Sequence, residues 1–116
     1  MSDSRTAVVD STVTAPAAGL MVPLVLLADE DAASRARRAD QLRARGCRVA
    51  LARTSFEAIV KASCQLPDLI LVSLRRETAD ETAELLSTCP ATAHIPIVRL
   101  SAKRALPARV FTLARC

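Results

Sequence analysis

Residues 65–74 read QLPDLILVSL, and the fold turns on them. Proline has no amide to donate and disfavours helix in the residue before it, so Pro67 ends the preceding segment. Leu69-Ile70-Leu71-Val72 then runs apolar without alternation as far as Ser73. A short run that is apolar on both faces suits a central parallel strand covered by helices on both sides. The same form recurs at Leu24–Ala28, which ends in Asp29-Glu30-Asp31, and at Ile97–Leu100, which ends at Ser101. A shorter strand is expected at Val49–Ala52.

Helical segments separate these runs. Ala32 to Arg45 is rich in helix formers, with Ala36, Ala39 and Leu42 at i, i+3 and i+6 and the arginines expected on the remaining face. Gly46 stands where a left-handed residue would close that helix. Thr54 or Ser55 is expected to cap a helix reaching about Gln65, with Phe56, Ile59 and Val60 inward. A polar stretch from Arg75 to Thr82 leads into a short helix through Leu85 and Leu86. Pro107 suits the first turn of a last helix, with Val110, Phe111 and Leu113 inward. Such alternation predicts right-handed βαβ units and a parallel sheet with helices on both faces. Ligands of such sheets bind beyond the carboxyl ends of the strands. The polar residues at those ends are Asp29, Glu30, Asp31, Ser73 and Ser101, and their clustering is the main functional signal.

Composition narrows the function classes. The chain has 116 residues, room for one domain, and 51% hydrophobic residues, enough for a core. Phe56 and Phe111 are its only aromatics, too few for a surface that stacks single-stranded nucleic acid. The net charge of +4 is uneven. The last acid is Glu84, and Arg99, Lys103, Arg104, Arg109 and Arg115 follow it. A uniformly basic nucleic-acid binder would not be built so, and the basic block is expected to be a solvated face. Cys47, Cys64, Cys89 and Cys116 show no C-x-x-C spacing, and His94 is the only histidine, so a zinc site is not expected and reduced thiols are. Gly19 and Gly46 are the only glycines, which excludes a glycine-rich phosphate loop.

Residues 1–22 are expected to form a flexible Ser/Thr/Ala-rich tail, and residues 23–116 one domain. The apolar run from Ala15 to Ala28 is shorter than the about 20 residues a membrane helix needs. Pro16, Gly19 and Pro23 interrupt it, and the residues before it lack the positive charge of a secretory signal. A cytoplasmic location is expected, with neither a membrane nor nucleic acid as partner.

The ordered motifs PLVLLADED (23–31), RARGCRVALA (43–52), QLPDLILVSL (65–74) and PATAHIPIVRLSAK (90–103) resemble the receiver domain of bacterial two-component response regulators. The resemblance covers residues 23–116. It implies an α/β, flavodoxin-like parallel sheet, here with four strands and without the family's fifth strand and fifth helix. In that family an Asp ending the third strand accepts a phosphoryl group from a histidine kinase. Acids after the first strand bind Mg²⁺, a Ser or Thr after the fourth bonds a phosphoryl oxygen, and a Lys after the fifth pairs with the phosphoaspartate. The set suits its chemistry, because a hard cation and fixed donors stabilise charge on the moving group.

By position the resemblance assigns Asp29 and Glu30 to the metal, Ser101 to the phosphoryl oxygen and Ser73 to the acceptor place. Ser73 is a departure. A hydroxyl without a base is a poor nucleophile, and the change removes one metal ligand and one negative charge. Mg²⁺ binding is therefore expected to be weak. Residues 108–114 look like the family's fourth helix, and Lys103 is not its catalytic lysine. Without a fifth strand, Ile97, Val98 and Leu100 are expected to meet solvent or a partner. The expected function is a phosphorelay interaction module, not an enzyme, whose partner is a histidine kinase, another two-component signalling protein or a second copy in a homodimer. A truncated, inactive receiver copy and a Mg-dependent enzyme stay open as alternatives.

Overall fold

A computed structural model describes residues 22–101 and 105–114. Apart from Val22, the expected tail lies outside the described residues, as do Lys103, Arg104, Arg115 and Cys116. In chain order the elements are β1 (Leu24–Asp29), α1 (Ala32–Ala44), β2 (Arg48–Ala52), α2 (Ser55–Gln65), β3 (Leu69–Ser73), α3 (Arg76–Thr88), β4 (Ile97–Arg99) and α4 (Ala108–Ala114). The strands form one parallel sheet in the order β2-β1-β3-β4. The two unbroken apolar runs take the middle. Val25 to Ala28 and Leu69 to Val72 are buried throughout, whereas β2 and β4 are only partly so.

Local chemistry sets the helix ends. The Asp31 side chain caps α1 by accepting from the Ser34 amide at 2.8 Å. That helix closes on Gly46 at φ +90°, with the Gly46 amide on the Arg43 carbonyl and the Cys47 amide on the Leu42 carbonyl, a Schellman turn. Thr54 caps α2 by accepting from the Glu57 amide, and the Glu57 carboxylate reaches back to the Arg53 amide at 2.7 Å, one residue before the N-cap.

Successive strand residues point to opposite faces, so each strand feeds two cores. Leu26, Ala28, Ile70 and Val72 meet α2 and α3 through Ala58, Ala62, Ala79 and Leu86. Val25, Leu27, Leu69 and Leu71 meet α1 and α4 through Leu42, Val110 and Ala114. The Arg45 guanidinium also lies 4.2 Å from the Phe111 ring centroid, which ties the end of α1 to α4.

Several expectations change. On α1 the buried stripe is Ser34, Arg38, Ala39 and Leu42, and Ala36 is exposed. On α2 Ala58 and Ala62 are buried and Ile59 packs inward as expected, while Phe56 is 76% exposed and Val60 also faces out. Ala58 and Ala62 lie one turn apart and put the buried face of the helix on small side chains. The polar stretch 75–82 is itself helical, because Ala79, Thr82 and Leu86 supply a buried stripe. On α4, Val110 is buried, Phe111 half-buried and Leu113 exposed. This helix shares the α1 face, so Val98 is only 6% exposed and Leu100 is half-buried instead of meeting solvent. Ile97 packs on the other face. Cys64 and Cys89 are free, but Cys47 is disulfide-bonded, against the reduced thiol expected there. Sequence spacing does not reveal pairs made across the fold.

Candidate functional site

The carboxyl ends of β1 and β3 bring Asp29 and Ser73 into direct register. Both have the parity of Leu27 and Leu71, so both face α1. A cleft of about 320 Å³ opens there, lined by Asp29, Glu30, Asp31, Ser34, Ser73, Leu74, Arg75 and Leu100.

Asp29 is buried, yet its carboxylate is well supplied with donors. Its Oδ1 accepts from the Asp31 amide at 2.9 Å. Its Oδ2 accepts from the Ser34 hydroxyl at 2.7 Å and from Arg38 Nη1 at 3.1 Å. Buried charges persist only when paired and hydrogen-bonded in this manner. Arg38, 1% exposed, is the centre of the arrangement. Its Nη1 also donates to Ser73 Oγ at 2.7 Å, and its Nη2 donates to the Ser101 carbonyl oxygen at 2.8 Å. One guanidinium thus joins the ends of β1, β3 and β4. Only a rigid fork of N–H donors makes such a three-way tie.

The other candidates are engaged differently. Glu30 is exposed and accepts from the Arg75 amide at 3.3 Å, with the Arg75 Nε at 3.9 Å. Asp31 is committed to the helix cap. Ser101 enters through its main-chain oxygen. Asp29, Ser73 and Ser101 are therefore brought together around Arg38, while Glu30 turns to the loop after β3.

The arrangement does not fit the magnesium ion that the family resemblance implies. A hard cation of this kind needs a near-octahedral set of oxygens. Asp29 already receives three donors, and a guanidinium sits against it. Two like unit charges 4 Å apart repel by about 4 kcal/mol at the effective dielectric of a protein site. Among the described residues, no group of three or more His, Cys, Asp or Glu side chains is placed to hold a metal.

Arg38 is the residue that sequence reading missed, because the arginines of α1 were assigned together to the solvent face. The available signal was spacing: Ser34, Arg38 and Leu42 recur every four residues, on one face of a helix.

The chain matches no protein-family model and no curated protein sequence. Solved structures are similar to it. The N-terminal domain of a response regulator receiver protein from Methanoculleus marisnigri JR1 is 26% identical with a TM-score of 0.65, over 79% of this chain and 78% of that one. The chain folds as a response-regulator receiver domain. The chemotaxis response regulator CheY4 of Vibrio cholerae has a TM-score of 0.66 at 22% identity, over 73% of this chain and 72% of its own. A response regulator protein from Burkholderia multivorans is 25% identical with a TM-score of 0.54, over 82% and 76% of the two chains. The sheet order found here agrees with the first four strands of the receiver order 2-1-3-4-5.

Proposed function

We propose that this receiver domain works as a protein-interaction module in two-component signalling, and that it does not take a phosphoryl group at Ser73. The observation that carries the reading is the pairing of Ser73 with Arg38. The place that the family resemblance gives to an acceptor carboxylate holds a hydroxyl, and that hydroxyl receives a guanidinium N–H. A carboxylate is ionised at neutral pH and attacks unaided, whereas a hydroxyl needs a base. Asp29, the carboxylate in register with Ser73, is occupied by Asp31, Ser34 and Arg38. The same argument favours a non-enzymatic role, since nucleophile, free base and metal are needed together.

The partner would be a histidine kinase or another two-component protein, and residues 23–116 would act as the recognition unit. Cytoplasmic action and pairing with a second copy belong to the same reading. The test is incubation of the full chain with Mg²⁺ and a small acyl phosphate, followed by intact-mass measurement. No phosphoryl adduct is expected, and a phosphoryl adduct mapped to Ser73, which as a serine phosphomonoester would survive acid, would overturn the proposal.

A further inference from the structure

We infer that Arg38, buried behind this pocket against its lining residues Asp29 and Ser73, is a resident cation that takes the place of a divalent ion, so that the site is closed to metals by construction and not merely weakened by the loss of one ligand. The inference rests on the reading of Ser73 as a non-acceptor and extends it to the state of the pocket.

The geometry supports three points. The guanidinium contacts the pocket acid Asp29, the acceptor-place residue Ser73 and the main chain at Ser101, at 3.1, 2.7 and 2.8 Å. These contacts reach the ends of β1, β3 and β4, the groups that a central cation would gather. Arg38 and Asp29 are each about 1% exposed and form a buried ion pair. A carboxylate at position 73 would add a second negative charge beside Asp29, whereas the hydroxyl accepts the same N–H and adds none. Finally, the cation is covalently part of α1, whose Asp31 cap and Schellman close hold both ends of the helix. It is therefore always present, whatever the metal concentration.

A Ser73→Asp substitution alone should consequently fail to create a metal site, because the guanidinium remains. The experiment compares the full chain in four forms: unchanged, Ser73→Asp, Arg38→Met, and both substitutions together. The probe is Mn²⁺, read by water-proton relaxation and by the metal-dependent rise in Tm that any ligand of the folded state produces. The unchanged chain and Ser73→Asp are expected to show no saturable binding. The double variant is expected to bind Mn²⁺ saturably and to gain Tm with added metal. Saturable Mn²⁺ binding by Ser73→Asp overturns the inference, and so does a folded double variant that takes up no Mn²⁺.

Should the Arg38 variants fail to fold, the first two forms decide. Saturable Mn²⁺ uptake by Ser73→Asp then overturns the inference, and its absence in both supports it. Acyl-phosphate labelling of the unchanged chain strikes the functional reading instead, so the two failures are told apart.

Discussion

The two faces of the sheet draw on the same strands and end differently. Toward α2 and α3 the strands present Leu26, Ala28, Ile70 and Val72, closed by the alanines of α2 and by Ala79 and Leu86 of α3. That face stays apolar as far as Leu74, and its helices are linked by the Ser55 and Thr82 hydroxyls at 2.6 Å. Toward α1 and α4 it begins with Val25, Leu27, Leu69 and Leu71 but finishes on Asp29 and Ser73, with Arg38 set against them. Strand parity explains the division: residues two apart share a face, so the polar strand ends fall beneath α1. One face is held by apolar packing and an uncharged hydrogen bond between its helices. The other adds a buried ion pair, whose favourable balance depends on keeping both partners.

The sharpest way to break this contrast is Asp29→Ala, which leaves the Arg38 charge buried without its carboxylate. A loss of about 3–5 kcal/mol is expected in urea unfolding, and a change below 1 kcal/mol would deny the pair its place. On the apolar face, Ile70→Ala opens a cavity without stranding a charge. About 3 kcal/mol is expected there, and that loss should not vary with salt. At the solvent side of α2, Phe56→Ala should change stability by less than about 0.5 kcal/mol, since the ring is 76% exposed. A loss like that of Ile70→Ala would return the ring to the core.

The smallest effect concerns pH. The Arg53 amide bonded to Glu57, followed by the charges of Arg53 and Lys61, holds this carboxyl below its ordinary value of 4.5. A lowered folded value means a contribution that is present above the unfolded value and lost as pH falls through the folded one. Thermal melts of Glu57→Gln and of the unchanged chain should therefore converge in that acid range. A gap that stays constant with pH would separate the cap from the charge.

Much of the fold was legible. The four apolar runs became four parallel strands, and Gly46 and Thr54 acted where their chemistry placed them. The site was half legible. Asp29, Ser73 and Ser101 were recognisable as strand-end polar residues, and the structure gathers them. Glu30 was grouped with Asp29 by adjacency, although neighbouring residues take opposite sides at a strand end. Arg38 was lost in a run of arginines, since composition marks such residues as solvent-facing.

By itself the sequence determined which segments are strands, which faces of those strands are apolar and that the sheet is parallel, because these follow from periodicity and from short connections. Only the tertiary structure decided that Phe56 stays outside, that α4 lies on the α1 face and that Arg38 is buried. Each of those outcomes depends on a partner distant in the chain. A charged side chain goes inside only if a carboxylate and further acceptors await it there, and for Arg38 they come from positions 29, 73 and 101, up to 63 residues away.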